Sequence, residues 1–289
     1  MTDEDRTPGS VGRQPKRDQP RHLADLASGS DRPPIVLVPG LDGTALLFYR
    51  QIPHLARAFD VVAFPLPDNS TITFDGLVSD LRRLISEVSD NGAILVGESF
   101  GGALSMSTAL AHPEAVKGLV IVNSFPWLKR RIQIRAAPWL LRLLPWGAMP
   151  IVRSFTESRL HSRHTLDEDL VEFHRRSAMI GYDGYVRRLE LLAGYDIRHR
   201  LSAISCPTLF LAADEDRLVP SVEWAQYMAA RVPDSELSIL EGYGHICLIN
   251  HDLDLLDYVE PWWSDLDTVE KRGTLGSPRS GPPGPMLES

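Results

Sequence analysis

Ala93-Ile94-Leu95-Val96-Gly97-Glu98-Ser99-Phe100-Gly101-Gly102 carries a short apolar run into a helical one across a serine bracketed by glycines. Ala93–Val96 reads as a strand buried on both faces, and Gly101–Ala111 as a helix. Between them, Gly97–Gly101 fits Gly-x-Ser-x-Gly, a sharp strand-to-helix turn that lifts a serine hydroxyl to the top of a sheet. The turn holds the serine in a strained backbone conformation, and its neighbours must be small where chains pass closely. The helix start behind it favours developing negative charge. Ser99 is therefore the candidate nucleophile. The competing reading is a glycine-rich turn with an incidental serine, against which the flanking strand and helix both count.

Outward from this turn the rhythm repeats. Ile35–Val38, Val61–Phe64, Leu119–Val122, Thr208–Ala212 and Leu237–Leu240 read as further buried strands. Phe74–Val88, Ser221–Arg231 and His251–Trp262 read as helices. Alternating strands and helices imply an α/β fold with a mostly parallel central sheet of about six strands, flanked by helices. Pro126–Ser202 breaks the rhythm, with helical segments and no convincing strand. It reads as a helical cap inserted after the fourth strand, over the carboxyl end of the sheet where ligands bind. The expected organisation is a core of 32–124 and 203–265, a cap of 125–202, and polar tails over 1–31 and 266–289. Neither tail has the apolar content to offset its ordering entropy, so both are expected to be disordered.

A serine hydroxyl needs a base to take its proton. Of the 9 histidines, His245 follows the last predicted strand in Glu241-Gly242-Tyr243-Gly244-His245, where a loop reaches the carboxyl end of the sheet. The base in turn needs an acceptor that fixes its tautomer. Three acids, Asp214, Glu215 and Asp216, crowd the turn after Thr208–Ala212. Asp216 is the best placed, and Asp214 at the strand end is its rival as a loop cap. An oxyanion needs donors as well. The glycine-rich loop Pro39–Thr44 and the turn at Ser99 make the backbone N–H groups of Leu41 and Phe100 the candidates.

From Pro34 to Trp263 these elements together resemble the α/β-hydrolase superfamily. The chain order Ser99, Asp216, His245 is the order of that family. Pro39-Gly40-Leu41-Asp42-Gly43-Thr44 and Gly97-Glu98-Ser99-Phe100-Gly101-Gly102 are similar to its esterase, lipase and thioesterase branch, which includes the hydrolase half of phytyl ester synthases. The resemblance implies cleavage of carboxylic esters or thioesters through an acyl-serine, with no metal or organic cofactor. An acyltransferase that passes the same acyl group to an alcohol is the first alternative. A non-catalytic binding protein on the fold is the second. Two departures weaken any inference about substrate drawn from the epoxide hydrolases or peptidases of the superfamily. Pro39-Gly40 stands where many relatives have His-Gly, and Phe64–Asn69 replaces the Asp-x-Arg-Gly-x-Gly of others.

Composition narrows the partners. A net charge of −8 argues against general nucleic-acid binding. The charge is uneven, since Ser124–Arg200 holds 14 Lys and Arg against 8 Asp and Glu. A solvated face is the plain account of that bias; attraction of an anionic substrate or peripheral contact with a membrane is the sharper one. Trp127, Trp139 and Trp146, with Leu140–Leu144 beside them, are candidates for an apolar, lipid-accepting pocket. The plain alternative is a cap helix packed on the sheet. Only 2 cysteines, an acidic N-terminus and no long apolar run read as a cytoplasmic protein without a transmembrane segment.

Overall fold

The computed structural model describes residues 32–128, 160–161 and 163–274. Six strands, β1 (Pro34–Val38), β2 (Asp60–Ala63), β3 (Ala93–Glu98), β4 (Val116–Val122), β5 (Thr208–Ala213) and β6 (Ser235–Leu240), form one sheet. Its order is β2-β1-β3-β4-β5-β6, and every pairing is parallel. Alternate residues of each central strand serve opposite cores. Val36, Val38, Leu95, Leu119, Ile121 and Phe210 belong to one, while Ile35, Leu37, Ile94, Val96, Val120 and Leu209 belong to the other. With both faces apolar, the strands show no polar alternation.

The helices follow from their patterns. In α2 (Phe74–Val88), Leu77, Val78, Leu81, Leu84 and Ile85 make one buried stripe, and the Thr73 hydroxyl caps the start by accepting from Gly76 N at 3.1 Å. With α3 (Phe100–Ala111) it covers the first face, beside the helix Ser221–Ala229. The short α1 (Gln51–Leu55) and the last helix, Leu256–Thr274, cover the second. β2 and β3 flank β1 on opposite sides, so the loops leaving β1 and β3 diverge. That opens a crevice at the carboxyl edge, where ligands bind in sheets of this kind.

Between β4 and β5 the described residues form α4 (Asp167–Ser177), α5 (Tyr182–Leu192) and a 3-10 turn, Arg198–Ala203. The only extended pairing among them is a single bridge between Trp127 and Asp196. In chain order the two later helices are α6 (Ser221–Ala229) and α7 (Leu256–Thr274). The last helix departs from expectation at both ends. It begins at Leu256 because Asp254 caps it there, its carboxylate accepting from Leu256 N at 2.9 Å. It continues past residue 265 because no glycine or proline interrupts residues 262–272. Among the described residues no helix is long and apolar enough to cross a membrane.

Candidate active site

Ser99 sits at the junction of β3 and α3 with φ 52° and ψ −113°, a conformation costly to any residue with a side chain. The surroundings hold it there. Its N–H donates to Val122 O at 2.9 Å, and its C=O accepts from the Ser124 hydroxyl at 2.7 Å and from Gly102 N at 3.1 Å. A β-carbon at Gly97 would stand 2.5 Å from Gly101 O, and one at Gly101 would strike the Val38 and Pro39 carbonyls. Both glycines are there because main chain passes where a side chain would be.

His245 follows β6 and reaches back over the sheet. Its Nε2 lies 3.1 Å from Ser99 Oγ and its Nδ1 2.7 Å from Asp216 Oδ2. Asp216, in the turn after β5, also accepts from Leu218 N and Val219 N at 2.9 Å each, and from the Ser221 hydroxyl. Asp214 points elsewhere and accepts from Gly242 N at 2.6 Å. Its role is that of a loop cap. Ser99 and His245 are only 7% and 4% exposed. Burial pulls the imidazole pKa down, but the charge and hydrogen bond of Asp216, with Glu98 behind them, hold it above its ordinary 6.5. Burial works against the Asp216 carboxylate too. His245 and the surrounding donors keep its pKa below the ordinary 3.8. With Nδ1–H donated to Asp216, the Nε2 lone pair faces the serine hydroxyl. Such an arrangement can deprotonate Ser99 as it attacks a carbonyl and return that proton to a leaving group.

A second acid stands close by. The buried Glu98 places Oε1 3.8 Å from His245 Nε2 and receives the Gly40 N–H. Burial, with Asp42 and Asp216 nearby, pushes its carboxyl up to about 7 against the pull of His245. Leu41 lies in the loop after β1, and Phe100 follows Ser99 at the start of α3. Neither backbone N–H has a hydrogen-bond partner among the described residues.

Asn123 is the residue beside the site that motif reading missed. It follows β4 with φ 46° and is buried. Its Oδ1 accepts from Ala213 N at 2.8 Å, while its Nδ2 donates to His245 O at 2.8 Å and Gly244 O at 3.3 Å. One amide thus ties the ends of β4 and β5 to the loop of the base. A left-handed residue at the end of a sheet strand is favourable for Asn, and that was the only signal available. The chain returning from the insertion holds the loop from outside, with Ile246 N donating to Leu160 O at 3.0 Å.

Of the three tryptophans expected to line a pocket, Trp127 packs edge-on against Trp224 at 5.3 Å, and the Arg198 guanidinium lies 4.1 Å from its ring centroid. Those are the contacts of a residue pinning the insertion to α6. Trp139, Trp146 and the basic run Lys129–Arg135 lie outside the described residues. Among those described, no group of three or more His, Cys, Asp or Glu is arranged to hold a metal ion.

Residues 33–252 match the model of a family described as the alpha/beta hydrolase fold. A protein of Serratia proteamaculans named RutD, provisionally a carbamate hydrolase, is 30% identical over 234 residues, 74% of this chain and 84% of that protein. Its namesake from Escherichia coli O157:H7 is 27% identical over 248 residues, covering 75% and 86%. Among solved structures, MenH from S. aureus aligns with a TM-score of 0.69 at 19% identity, over 86% of this chain and 97% of that one. A thermophilic esterase from Thermogutta terrifontis aligns with a TM-score of 0.68 at 20% identity, over 83% and 90%. At such identities these structures speak for the fold.

Proposed function

Because the chain belongs to the alpha/beta hydrolase family, we propose that it is a serine hydrolase acting on carboxylic esters or thioesters. The observation that carries this reading is the unbroken line from Ser99 Oγ through His245 to Asp216, at 3.1 and 2.7 Å. Ser99 attacks the carbonyl while His245 takes its proton, and the Leu41 and Phe100 N–H groups receive the oxyanion. His245 then protonates the leaving group and activates water to release the acyl group. Asp216 orients the ring throughout. The acyl group is apolar, as the apolar run Trp139–Trp146 in the sequence of the insertion suggests. Two buried, unpaired cysteines fit a reducing compartment, and we place the enzyme in the cytoplasm.

A carbamate substrate is the second reading, favoured by the names of the relatives at 27–30% identity. A carbamate would pass through a carbamoyl-serine on the same residues. The test is a panel of nitrophenyl esters from acetyl to decanoyl, a thioester and an aryl carbamate, run with and without an alcohol acceptor. Fluorophosphonate labelling should locate on Ser99. Each buried methylene contributes about 0.8 kcal/mol, so activity should climb up to roughly fourfold per CH₂ until the pocket is full. A profile that peaks at acetate removes the apolar acyl group, and a wild-type protein that neither labels nor turns over any substrate removes the enzyme.

A further inference from the structure

Arg188, on α5, is the bulkiest fully buried side chain among the described residues, at 1% exposure. A buried guanidinium is costly unless its charge is paired and its donors satisfied. No carboxylate among the described residues forms an ion pair with it. Its donors go instead to main-chain carbonyls: Nε to Leu41 O at 3.0 Å, Nη2 to Asp42 O at 3.2 Å and Nη1 to Pro67 O at 3.2 Å. The first two belong to the loop after β1, the third to the loop after β2. Space has been cleared for the group. A β-carbon on Gly43, at φ +72°, would lie 2.6 Å from the guanidinium carbon, and one on Gly184 would lie 2.7 Å from Nη1. The acids that balance the charge electrostatically are Asp42 and then Asp68, and the Asp68 carboxylate is itself held by Gly184 N at 2.7 Å.

We propose that Arg188 is the positioning residue of the oxyanion loop, reaching from the inserted helix to set the direction of the Leu41 N–H. The inference rests on the reading of Leu41 as an oxyanion donor. In a trans peptide the N–H points opposite to the preceding C=O. Gly40 C=O is committed to Gly43 N at 3.1 Å, which turns the Leu41 N–H to the other side. The next carbonyl, that of Leu41, is committed to Arg188. Both peptide planes flanking the Leu41 Cα are thereby fixed, one by the loop's own turn and the other by the guanidinium. A planar fork reaching three carbonyls on two loops suits Arg and cannot be reproduced by the point charge of Lys.

The test compares R188K, R188M, R188A and G43A with wild type on one nitrophenyl ester. Removing an oxyanion donor outright costs about 100- to 1000-fold in turnover. Misdirecting one should cost R188M on the order of 100-fold in kcat and R188K on the order of tenfold, with KM within about threefold of wild type. R188A should regain part of its kcat, at unchanged KM, in millimolar guanidinium ion. G43A keeps Arg188 but places a methyl group where the guanidinium lies, so the same loss of kcat is expected even if the Arg188 variants do not fold. Variants that lose only thermal stability, or lose affinity with kcat intact, overturn the proposal while leaving the Ser99 reading in place. Absence of Ser99 labelling in the wild type overturns the earlier reading instead.

Discussion

Replacing Ser99 by Ala removes one oxygen from a turn whose shape is set by main-chain bonds and by glycines, so the fold should survive. Turnover of the preferred ester should fall on the order of a millionfold, the loss seen when a serine nucleophile is removed. Circular dichroism and ester assay of the purified variant check both halves. Asp216→Asn keeps the shape of the side chain but offers His245 the wrong partner, which costs about four orders of magnitude in kcat where such a residue orients the base. Asp214→Asn should cost far less, since Asp214 serves Gly242 N and not the base; a reversed ranking would exchange the two roles. Glu98→Gln keeps an oxygen for the Gly40 N–H and removes a charge that raises His245. The acid limb of kcat/KM, which reports protonation of the base, should therefore shift to lower pH in the variant. Stability provides an independent readout. A carboxyl lifted from 4.5 to about 7 by folding stabilises fully below its unfolded value, and that contribution is lost as pH rises through about 7. Glu98→Gln should accordingly be more stable than wild type at pH 8.5, by up to about 3 kcal/mol, and the gap should close by pH 4. At this scale the three side chains that stand in line, Ser99, His245 and Asp216, were legible because a motif, a chain order and a strand end each pointed to them. Glu98 was not, because the motif leaves its position open and only burial gives that carboxyl its character.

Strands were easy to read and helix ends less so, for a physical reason. Both faces of the sheet are covered, so the buried strands stand out as apolar runs. The start of α7 depends on one side-chain cap at Asp254, and several polar residues upstream could have served equally. Arg188 was illegible for another reason: in Tyr182–Leu192 it looks like one more cation on a charged helix. Other arginines of that basic stretch do lie at the surface or partly buried beside acids. Arg175 and Arg176 pair with Glu172, and Arg187 with Glu190. Part of the apparent positive bias is therefore spent inside the insertion. The joint between β4, β5 and the loop of the base depends on Asn123, and its substitution tests that joint. Asn123→Asp can still accept from Ala213 N but cannot donate to the carbonyls of Gly244 and His245. A stability loss of about 2 kcal/mol is expected, in the range for leaving buried polar groups unmet. A displaced imidazole should lower kcat at least tenfold. Denaturant titration and the pH-independent rate measure the two effects separately.

Taken whole, the molecule hides its thiols. Burial pushes the Cys206 thiol up to about 11 and the Cys247 thiol higher than its ordinary value. Neither should react with a disulfide reagent at pH 8 in the native state, and both should react on unfolding, so thiol labelling should follow global opening. One consequence of the sheet order concerns time and not geometry. The order is β2-β1-β3-β4-β5-β6, and β6, at one edge, carries the loop of His245. Ser99 and His245 are 146 residues apart along the chain and meet only when that edge is in place. Contacts between distant residues form slowly, because chain entropy is lost before the contact compensates for it. A refolding chain should therefore recover its helical signal first and its reactivity toward fluorophosphonate last. During synthesis Ser99 is built well before His245, so the growing chain should react with fluorophosphonate at Ser99 only after the final edge strand has docked.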